Sequence, residues 1–397
     1  MEIYLVGGAV RDTLLGLPVK DRDWVVVGAA PQQLIDRGFI AVGKDFPVFL
    51  HPMTREEYAL ARTERSTAPG YQGFAFHAAP DVTLAQDLAR RDLTINAMAV
   101  LQQHLRADGN FDPASTPLED PYHGQRDLQQ RRLRHVTAAF HDDPVRILRV
   151  ARFAARFSDF HVAGDTLALM RSMVANGEAD ALVAERVWQE LARGLMEDTP
   201  SRMLQVLADC AALAHLLPEL VEVKGGDGEG IARSGRQALS VDQSARFYAP
   251  LSVRFASLCR AVPDATRLAA LCQRLRAPND CCDLAMLALR ESLAVDGSGS
   301  LDASGLVALI ERCDGLRKPA RFKDLLQVCA IGAVVDGRVP GNYYPPQDRL
   351  QAAQAAAQAM PTDTIARSAM AEGKTGPAIG AAIHAARIVA VAAAVGL

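Results

Sequence analysis

The stretch from Val6 to Val27, VGGAVRDTLLGLPVKDRDWVVV, holds two carboxylates, Asp21 and Asp23, two residues apart, and a Gly7-Gly8 pair followed by Arg11. On a strand, residues i and i+2 point to the same face, and the β-branched run Val25 to Val27 places both aspartates on one. An isolated Asp-x-Asp is common by chance and is usually a solvated strand edge. Here the glycine pair lets backbone N–H groups approach an anion where a Cβ would obstruct, and Arg11 adds a fixed positive charge. Two carboxylates beside such a cradle describe a Mg²⁺ site for phosphoryl or nucleotidyl transfer.

Two further groups carry chemistry, RRDLTINAMA from Arg90 and DDPVRILRVARF from Asp142. Arg90-Arg91-Asp92 alone reads as a solvated helix face with local ion pairs. In the second group Pro144 occupies a first-turn position, Asp143 fills the N-cap slot, and Arg146, Arg149, Arg152 and Arg156 recur along one face. From Arg126 to Arg156 eight Arg stand against three Asp, although the whole chain has a net charge of -3 that by itself suggests no nucleic-acid partner. Most of the 43 basic residues are Arg, whose planar fork suits phosphates and bases.

GGAVRD with DRD, RRDLTINAMA and DDPVRILRVARF, in that order, resemble the bacterial CCA-adding tRNA nucleotidyltransferases of class II, enterobacterial type. The likeness is dense over residues 1 to 220 and looser beyond, and the poly(A) polymerases of the same superfamily share the motifs. It implies an α+β fold: a polymerase β-like nucleotidyltransferase head over 1–139, a helical neck and RNA-binding region over 140–222, and an all-α body and tail over 223–397. It further implies template-independent addition and repair of the 3′ CCA of tRNA from CTP and ATP. Asp21 and Asp23 would be the catalytic residues and the Mg²⁺ ligands. Gly8 and Arg11 would hold the nucleotide phosphates, Arg91 and Arg149 would reach the nucleotide, and Arg152 and Arg156 would meet RNA phosphate. The partners would be the tRNA 3′ end and acceptor stem, with no DNA and no membrane, in the cytoplasm.

An enzyme that selects bases without a template needs a protein surface that reads them. An Arg donates two parallel N–H groups and an Asp accepts. Asp143 with Arg146 therefore complements cytosine, with acceptors at O2 and N3 and a donor at N4, and adenine, with an acceptor at N1 and a donor at N6. Uracil puts an acceptor where Asp143 needs a donor, and the N1–H of guanine faces the guanidinium, so both leave buried polar groups unpaired. Asp143 can also cap the helix, and the two roles are compatible. A poly(A) polymerase is the alternative activity; the acidic net charge and the lack of a basic extension stand against it. A non-catalytic RNA-binding paralogue is the alternative class, and the intact carboxylate pair opposes it.

Three places depart from or extend the family pattern. Asp142 stands where the family usually has Glu. Arg62 to Phe76, RTERSTAPGYQGFAF, reads as a loop, and in CCA-adding relatives a flexible segment here accompanies the switch to adenosine addition. Relatives carry a His-Asp metal phosphohydrolase domain in the second half; this chain has no histidine between His215 and His384, and Arg260-Ala261 stands where the relatives have His-Asp. Without imidazoles in that stretch the degenerate domain cannot build the metal site.

The elements that must position these residues follow from pattern. Strands are expected at 3–6, 20–27, 39–42, 46–51 and 56–61, with helices at 31–37 and 87–100 and a hairpin turn at Asp108-Gly109-Asn110. From Asp143 the pattern is almost wholly helical, with breaks at Gly225–Gly230 and from Asp296. The length of 397 residues, 49% of them hydrophobic, fits a globular protein of two to three domains. Seven Cys without Cys-x-x-Cys spacing suggest reduced thiols and a cytosolic setting. No secretory signal is expected, and the apolar tail, interrupted by Arg387, is expected to dock as a terminal helix.

Overall fold

The computed structural model describes residues 1–42, 48–66, 74–221, 229–341 and 343–397. They form two compact units, Met1–Gly194 with Arg202–Leu216, and Leu195–Ser201 with Leu217–Leu397.

In the first unit, strands β1 (Glu2–Val6), β2 (Asp23–Val27), β3 (Ile40–Val42), β4 (Val48–Leu50) and β5 (Glu57–Leu60) precede an antiparallel ribbon of β6 (Thr63–Ser66) and β7 (Phe74–His77), and then β8 (Ala99–Leu101). The main sheet runs β3-β4-β5-β2-β1-β8; only β2 and β5 pair in parallel. Val25 and Val26 point to opposite faces of β2 and both are buried, so this central strand is covered on each side. Trp24 stacks on Tyr58 of β5 with ring centroids 5.3 Å apart.

Short helices α1 (Gly8–Leu14), α2 (Pro31–Ile35), α3 (Leu84–Ala89) and α4 (Gly124–Gln129) attach to the sheet region. A small parallel pair, β9 (Arg132–Leu133) with β10 (His161–Val162), flanks α5 (Val145–Arg156) in sequence. Then come α6 (Gly164–Ala175), α7 (Ala184–Leu195), α8 (Ser201–Asp209) and α9 (Ala212–Leu216). On α5 the residues Ile147, Leu148, Val150, Ala151 and Ala154 are buried, while Arg146, Arg149, Arg152 and Arg156 share a cleft. Burial of each large aliphatic side chain stabilises the helix by roughly 1.5–3 kcal/mol, and this fixes which edge presents arginine.

Several expected elements differ. β2 begins at Asp23, so Asp21 lies outside the strand and its direction is not set by the pleat. The helix expected at 87–100 is three pieces: α3, a 3₁₀ turn at Thr94–Asn96, and β8. The cause is Asp92, whose Oδ1 accepts from the backbone N–H of Leu93 at 2.8 Å and from Asn96 Nδ2 at 2.9 Å, and so competes with helix continuation. The turn at 108–110 exists, with Gly109 at φ +76°, but no strands flank it. Within the expected loop 62–76, the two ends pair as β6 and β7; residues 67–73 lie outside the described residues, as do 225–228 of the Gly-rich break. α5 starts at Val145, and Asp143 accepts from its backbone N–H at 3.2 Å from one residue further out than expected.

The second unit is helical: α10 (Glu229–Arg246), α11 (Leu251–Cys259), α12 (Ala265–Leu275), α13 (Asn279–Asp296), α14 (Ala303–Arg312), α15 (Pro319–Val335), α16 (Pro345–Gln358), α17 (Thr362–Ala371) and α18 (Pro377–Val395). Asp264 and Asp302 cap α12 and α14, each accepting a backbone N–H at 2.8 Å. Phe255, Leu258, Leu268, Leu271, Leu325 and Leu326 are buried in its core. Arg254, also buried, donates to the carbonyls of Ala249, Leu195 and Glu197, which satisfies a charge the core could not otherwise hold. All seven cysteines are free thiols, and burial pushes Cys272, Cys281, Cys313 and Cys329 up to about 12. α18 packs against α14, α16 and α17, and Glu311 of α14 accepts from Arg387 at 2.9 Å. It is still mostly exposed, with 6% of its most apolar window buried, and it alone among the described helices is long and apolar enough to cross a membrane.

Candidate active site

A cleft of ≈ 680 Å³ in the first unit gathers residues from β1–α1, the segment before β2, the Arg90–Asn96 segment, α5 and α7. Every residue singled out in the sequence lines it: Gly8, Arg11, Asp21, Asp23, Arg91, Asp143, Arg146, Arg149, Arg152 and Arg156. Asp21 and Asp23 are exposed to it. Between them, Arg22 is held elsewhere: its Nη2 donates to Asn110 Oδ1 at 3.0 Å and to the Asp108 carbonyl at 3.3 Å, and Glu56 lies 3.8 Å from Nη1. A Cβ on Gly109 would sit 3.2 Å from Arg22 Nε, so the glycine turn makes room for this anchor. The chain between Asp21 and Asp23 is therefore tied down at Arg22.

The glycine requirement falls on Gly7. Its φ is +70°, and a Cβ there would meet Arg91 Nη1 at 2.8 Å; at Gly8 the nearest atom would be 3.5 Å away. Gly7 therefore serves both the turn and the close approach of the Arg91 guanidinium to the backbone.

The arginines are anchored one by one. Arg11 donates from Nε to Asp12 at 2.8 Å and from Nη1 to Asn96 Oδ1 at 2.5 Å, and its guanidinium lies over the rings of Phe153 and Phe157 at 5.1 and 5.3 Å. Arg91 lies 3.5 Å from Asp87, and Arg156 donates to Asp12 at 2.9 Å. Arg149 donates to Asp92 at 2.7 Å, and Arg152 to Glu190 at 2.7 Å. Arg146 donates to the carbonyls of Ala139 and Arg90, both at 2.6 Å. A guanidinium has five N–H donors, more than the anchors of Arg11, Arg91, Arg149 and Arg156 use. Burial pulls the Arg11 and Arg91 guanidinium pKa values down. Burial also opposes ionisation of Asp92, but Arg149, Asn96 and the Leu93 N–H together hold its carboxyl well below the usual range. Asp92 in turn raises Arg149.

Asp143 is not free in this conformation. Arg186 of α7 grips it with Nη1 to Oδ1 at 3.0 Å and Nη2 to Oδ2 at 2.8 Å. Arg186, Gln189, Glu190 and Arg193 of α7, with Phe153 of α5, line the cleft and were not singled out by sequence reasoning. The spacing of 186, 189, 190 and 193 in AERVWQELARGL, a polar stripe of one helix face, was the available signal. Asp142, by contrast, does not line the cleft; its neighbour His141 lies 3.3 Å away. The cleft's other carboxylates, Asp92, Asp143 and Glu190, are each consumed by arginine, whereas the carboxylates of Asp21 and Asp23 make no side-chain hydrogen bond or salt bridge among the described residues, and Asp23 feels only the longer-range charge of Arg91. The arrangement offers a polyanion many donors and offers a hard cation two open carboxylates.

Comparison with known proteins agrees. Residues 3–134 match the family described as the Poly A polymerase head domain, and residues 159–223 match a probable RNA and SrmB-binding site of polymerase A. The chain is 52% identical to the Multifunctional CCA protein of Variovorax paradoxus over 99% of both chains. It is 54% identical to that of Paracidovorax citrulli over 98% of this chain and 96% of the relative. A solved CCA-adding enzyme in complex with ATP shares the fold, with a TM-score of 0.69 at 21% identity over 98% of this chain and 86% of that one. The chain belongs to the bacterial CCA-adding enzymes, the tRNA nucleotidyltransferases built on a poly(A) polymerase-type head.

Proposed function

We propose that the cleft of the first unit binds CTP and ATP in turn and transfers their nucleotidyl groups to the 3′ end of a tRNA, with Asp21 and Asp23 holding Mg²⁺. The observation that carries this reading is the pair of carboxylates left without a side-chain hydrogen bond or salt bridge, among the described residues, in a cleft where arginine consumes every other carboxylate. Oxygen donors two residues apart suit a hard divalent cation, and family membership supports the assignment. When bound, the ion supplies charge neutralisation at the triphosphate and favours the ionised 3′-hydroxyl.

In the step itself the tRNA 3′-oxygen forms a bond to the α-phosphorus, the bond to the β-phosphate oxygen breaks, and pyrophosphate departs. Arg11 and Arg91 face the phosphates across the backbone of Gly7 and Gly8 and stabilise the charge that develops there. Asp143 and Arg146 read the Watson–Crick edge of the incoming base. For this Arg186 must release or share Asp143, so the ion pair doubles as a holder that keeps the carboxylate aligned. Arg149 contacts the nucleotide while anchored on Asp92, and Arg152 and Arg156 neutralise RNA phosphate. The second unit has one histidine, His384, which is paired with Glu311, and with no His-Asp pair it carries no metal-dependent phosphohydrolase chemistry in this reading.

The test is incorporation from single nucleotides into tRNA that lacks its 3′ CCA. CTP alone should add two residues and stop, ATP alone should add none, and the pair should add three. Runs of AMP from ATP alone would instead identify a poly(A) polymerase.

A further inference from the structure

The second unit holds a cavity of ≈ 470 Å³ between α10, α11 and α13 and the end of α15. Its polar lining is Arg236, Gln237, Ser240, Ser257, Arg260 and Asp336. Asp336 is the one carboxylate among these residues, and it is already consumed: Arg260 Nη2 donates to it at 2.8 Å and Arg338 lies 3.4 Å away. Arg260 is further fixed by donation to Ser240 Oγ at 3.3 Å. Its place is cut into the fold, because a Cβ on Gly332 would lie 2.4 Å from its Cζ.

What remains is an excess of donors. The hydroxyl of Ser257 is fully buried and has no hydrogen-bond partner among the described residues. Ser240 accepts from Arg260, and its own proton has no acceptor among the described residues. Arg236 is exposed at the cavity rim with no ion pair among the described residues, and Arg260 keeps unused N–H groups. Buried donors without acceptors are costly to leave unmade, so the complementary ligand is rich in acceptors and negative. Forked guanidinium donors favour tetrahedral oxyanions in particular. On another side the cavity is apolar, with Val262, Pro263 and Leu289.

We propose that this cavity is a metal-independent binding site for a phosphate group, held by Arg236, Arg260 and the hydroxyls of Ser240 and Ser257. The apolar side gives room for the body of a phosphate monoester such as a nucleoside monophosphate. No bond is made or broken there. The proposal is independent of the assignment of Asp21 and Asp23.

The test is calorimetric titration of the full chain in EDTA with inorganic phosphate and, separately, with AMP. Arg236→Glu reverses a charge at an exposed position and leaves the core intact; Arg260→Gln and Ser257→Val probe the buried donors. The site predicts that Arg236→Glu weakens binding at least tenfold and that Asp21→Ala leaves this binding event unchanged. AMP binding tighter than phosphate would assign the apolar side to the nucleoside, and equal affinities would assign the site to phosphate alone. If no metal-free binding is detected, or if Arg236→Glu and Arg260→Gln titrate like the parent chain while their melting curves show them folded, the proposal is overturned.

Discussion

The chain carries two arginine-lined cavities, ≈ 680 Å³ in the first unit and ≈ 470 Å³ in the second, and they differ in what their carboxylates are doing. In the second, Asp336 is spent on Arg260 and Arg338. In the first, three carboxylates anchor arginines and two, Asp21 and Asp23, are left over. Guanidinium groups alone bind phosphate; open carboxylates beside them add a place for the cation that phosphoryl chemistry needs. One cavity is thereby equipped for reaction and the other for binding.

The largest effect on the first cavity, short of removing Asp21 or Asp23, is expected at the proposed base-reading pair, Asp143 and Arg146. Asp143→Ala deletes an acceptor and strands Arg186, so discrimination against UTP and GTP should fall by about a hundredfold, or ~2.7 kcal/mol, with both correct additions slowed. Measured misincorporation unchanged, with only melting temperature lowered, would reduce Asp143 to a helix cap. Gly7→Ala comes next: it imposes a side chain at φ +70° and 2.8 Å from Arg91. Strain of this kind costs about 1–3 kcal/mol, and catalytic efficiency should drop roughly tenfold or more. An unaltered kcat/KM would show that Arg91 does not need this approach.

Arg22→Ala should act more gently. The carboxylates stay, but Asp21 loses the anchor that aims it, so kcat should fall by about threefold to tenfold, corresponding to ~0.7–1.4 kcal/mol, with little change in tRNA affinity. Equal losses in kcat and tRNA binding would mean Arg22 merely supports the fold. Asp92 sets an acid limit. Its folded pKa lies below that of the unfolded chain, so its stabilisation is present above the unfolded carboxyl's value of about 4 and is lost progressively as pH falls from there through the folded pKa. Asp92→Asn should therefore lower stability by ~2–4 kcal/mol at pH 7 and flatten the acid side of the melting profile. A parallel profile would remove Asp92 from the linkage. The smallest effect is none: hydrolysis of 2′,3′-cAMP with added Ni²⁺, Co²⁺ or Mn²⁺ should stay at background, and metal-stimulated turnover by the purified chain would show a metal site built from other residues.

The same contrast explains how far the sequence could be read. The gathering of Asp21, Asp23, the glycine pair and the arginine stripe of α5 in one cleft was legible, the stripe because 145–156 alternates buried aliphatics with arginine at helical period, although the strand expected to carry both aspartates begins only at Asp23. The reach of Asp92 was not, since a side chain that captures the Leu93 N–H ends a helix whose residues otherwise favour one. Arg186 was missed because its meaning depends on Asp143, 43 residues away, and an exposed helix face looks the same until its partner is known. The anchoring of Arg22 by the 108–110 turn is likewise a contact of distant segments. The second cavity could be read only in part: the loss of imidazoles was visible, whereas the slot at Gly332 and the stranded hydroxyl of Ser257 are products of helix packing.

The central claim, that the two unpartnered carboxylates separate reaction from binding, is tested most directly by single-turnover CMP addition to a tRNA lacking its CCA, using Asp21→Ala and Asp23→Ala beside a direct measurement of tRNA affinity. Loss of the ion should cost several kcal/mol in the barrier, so the rate should fall at least a hundredfold, about 2.7 kcal/mol or more, while tRNA binding stays within about twofold. A variant that keeps more than about a hundredth of the rate, or one whose lost activity is matched by lost tRNA binding, would contradict the account.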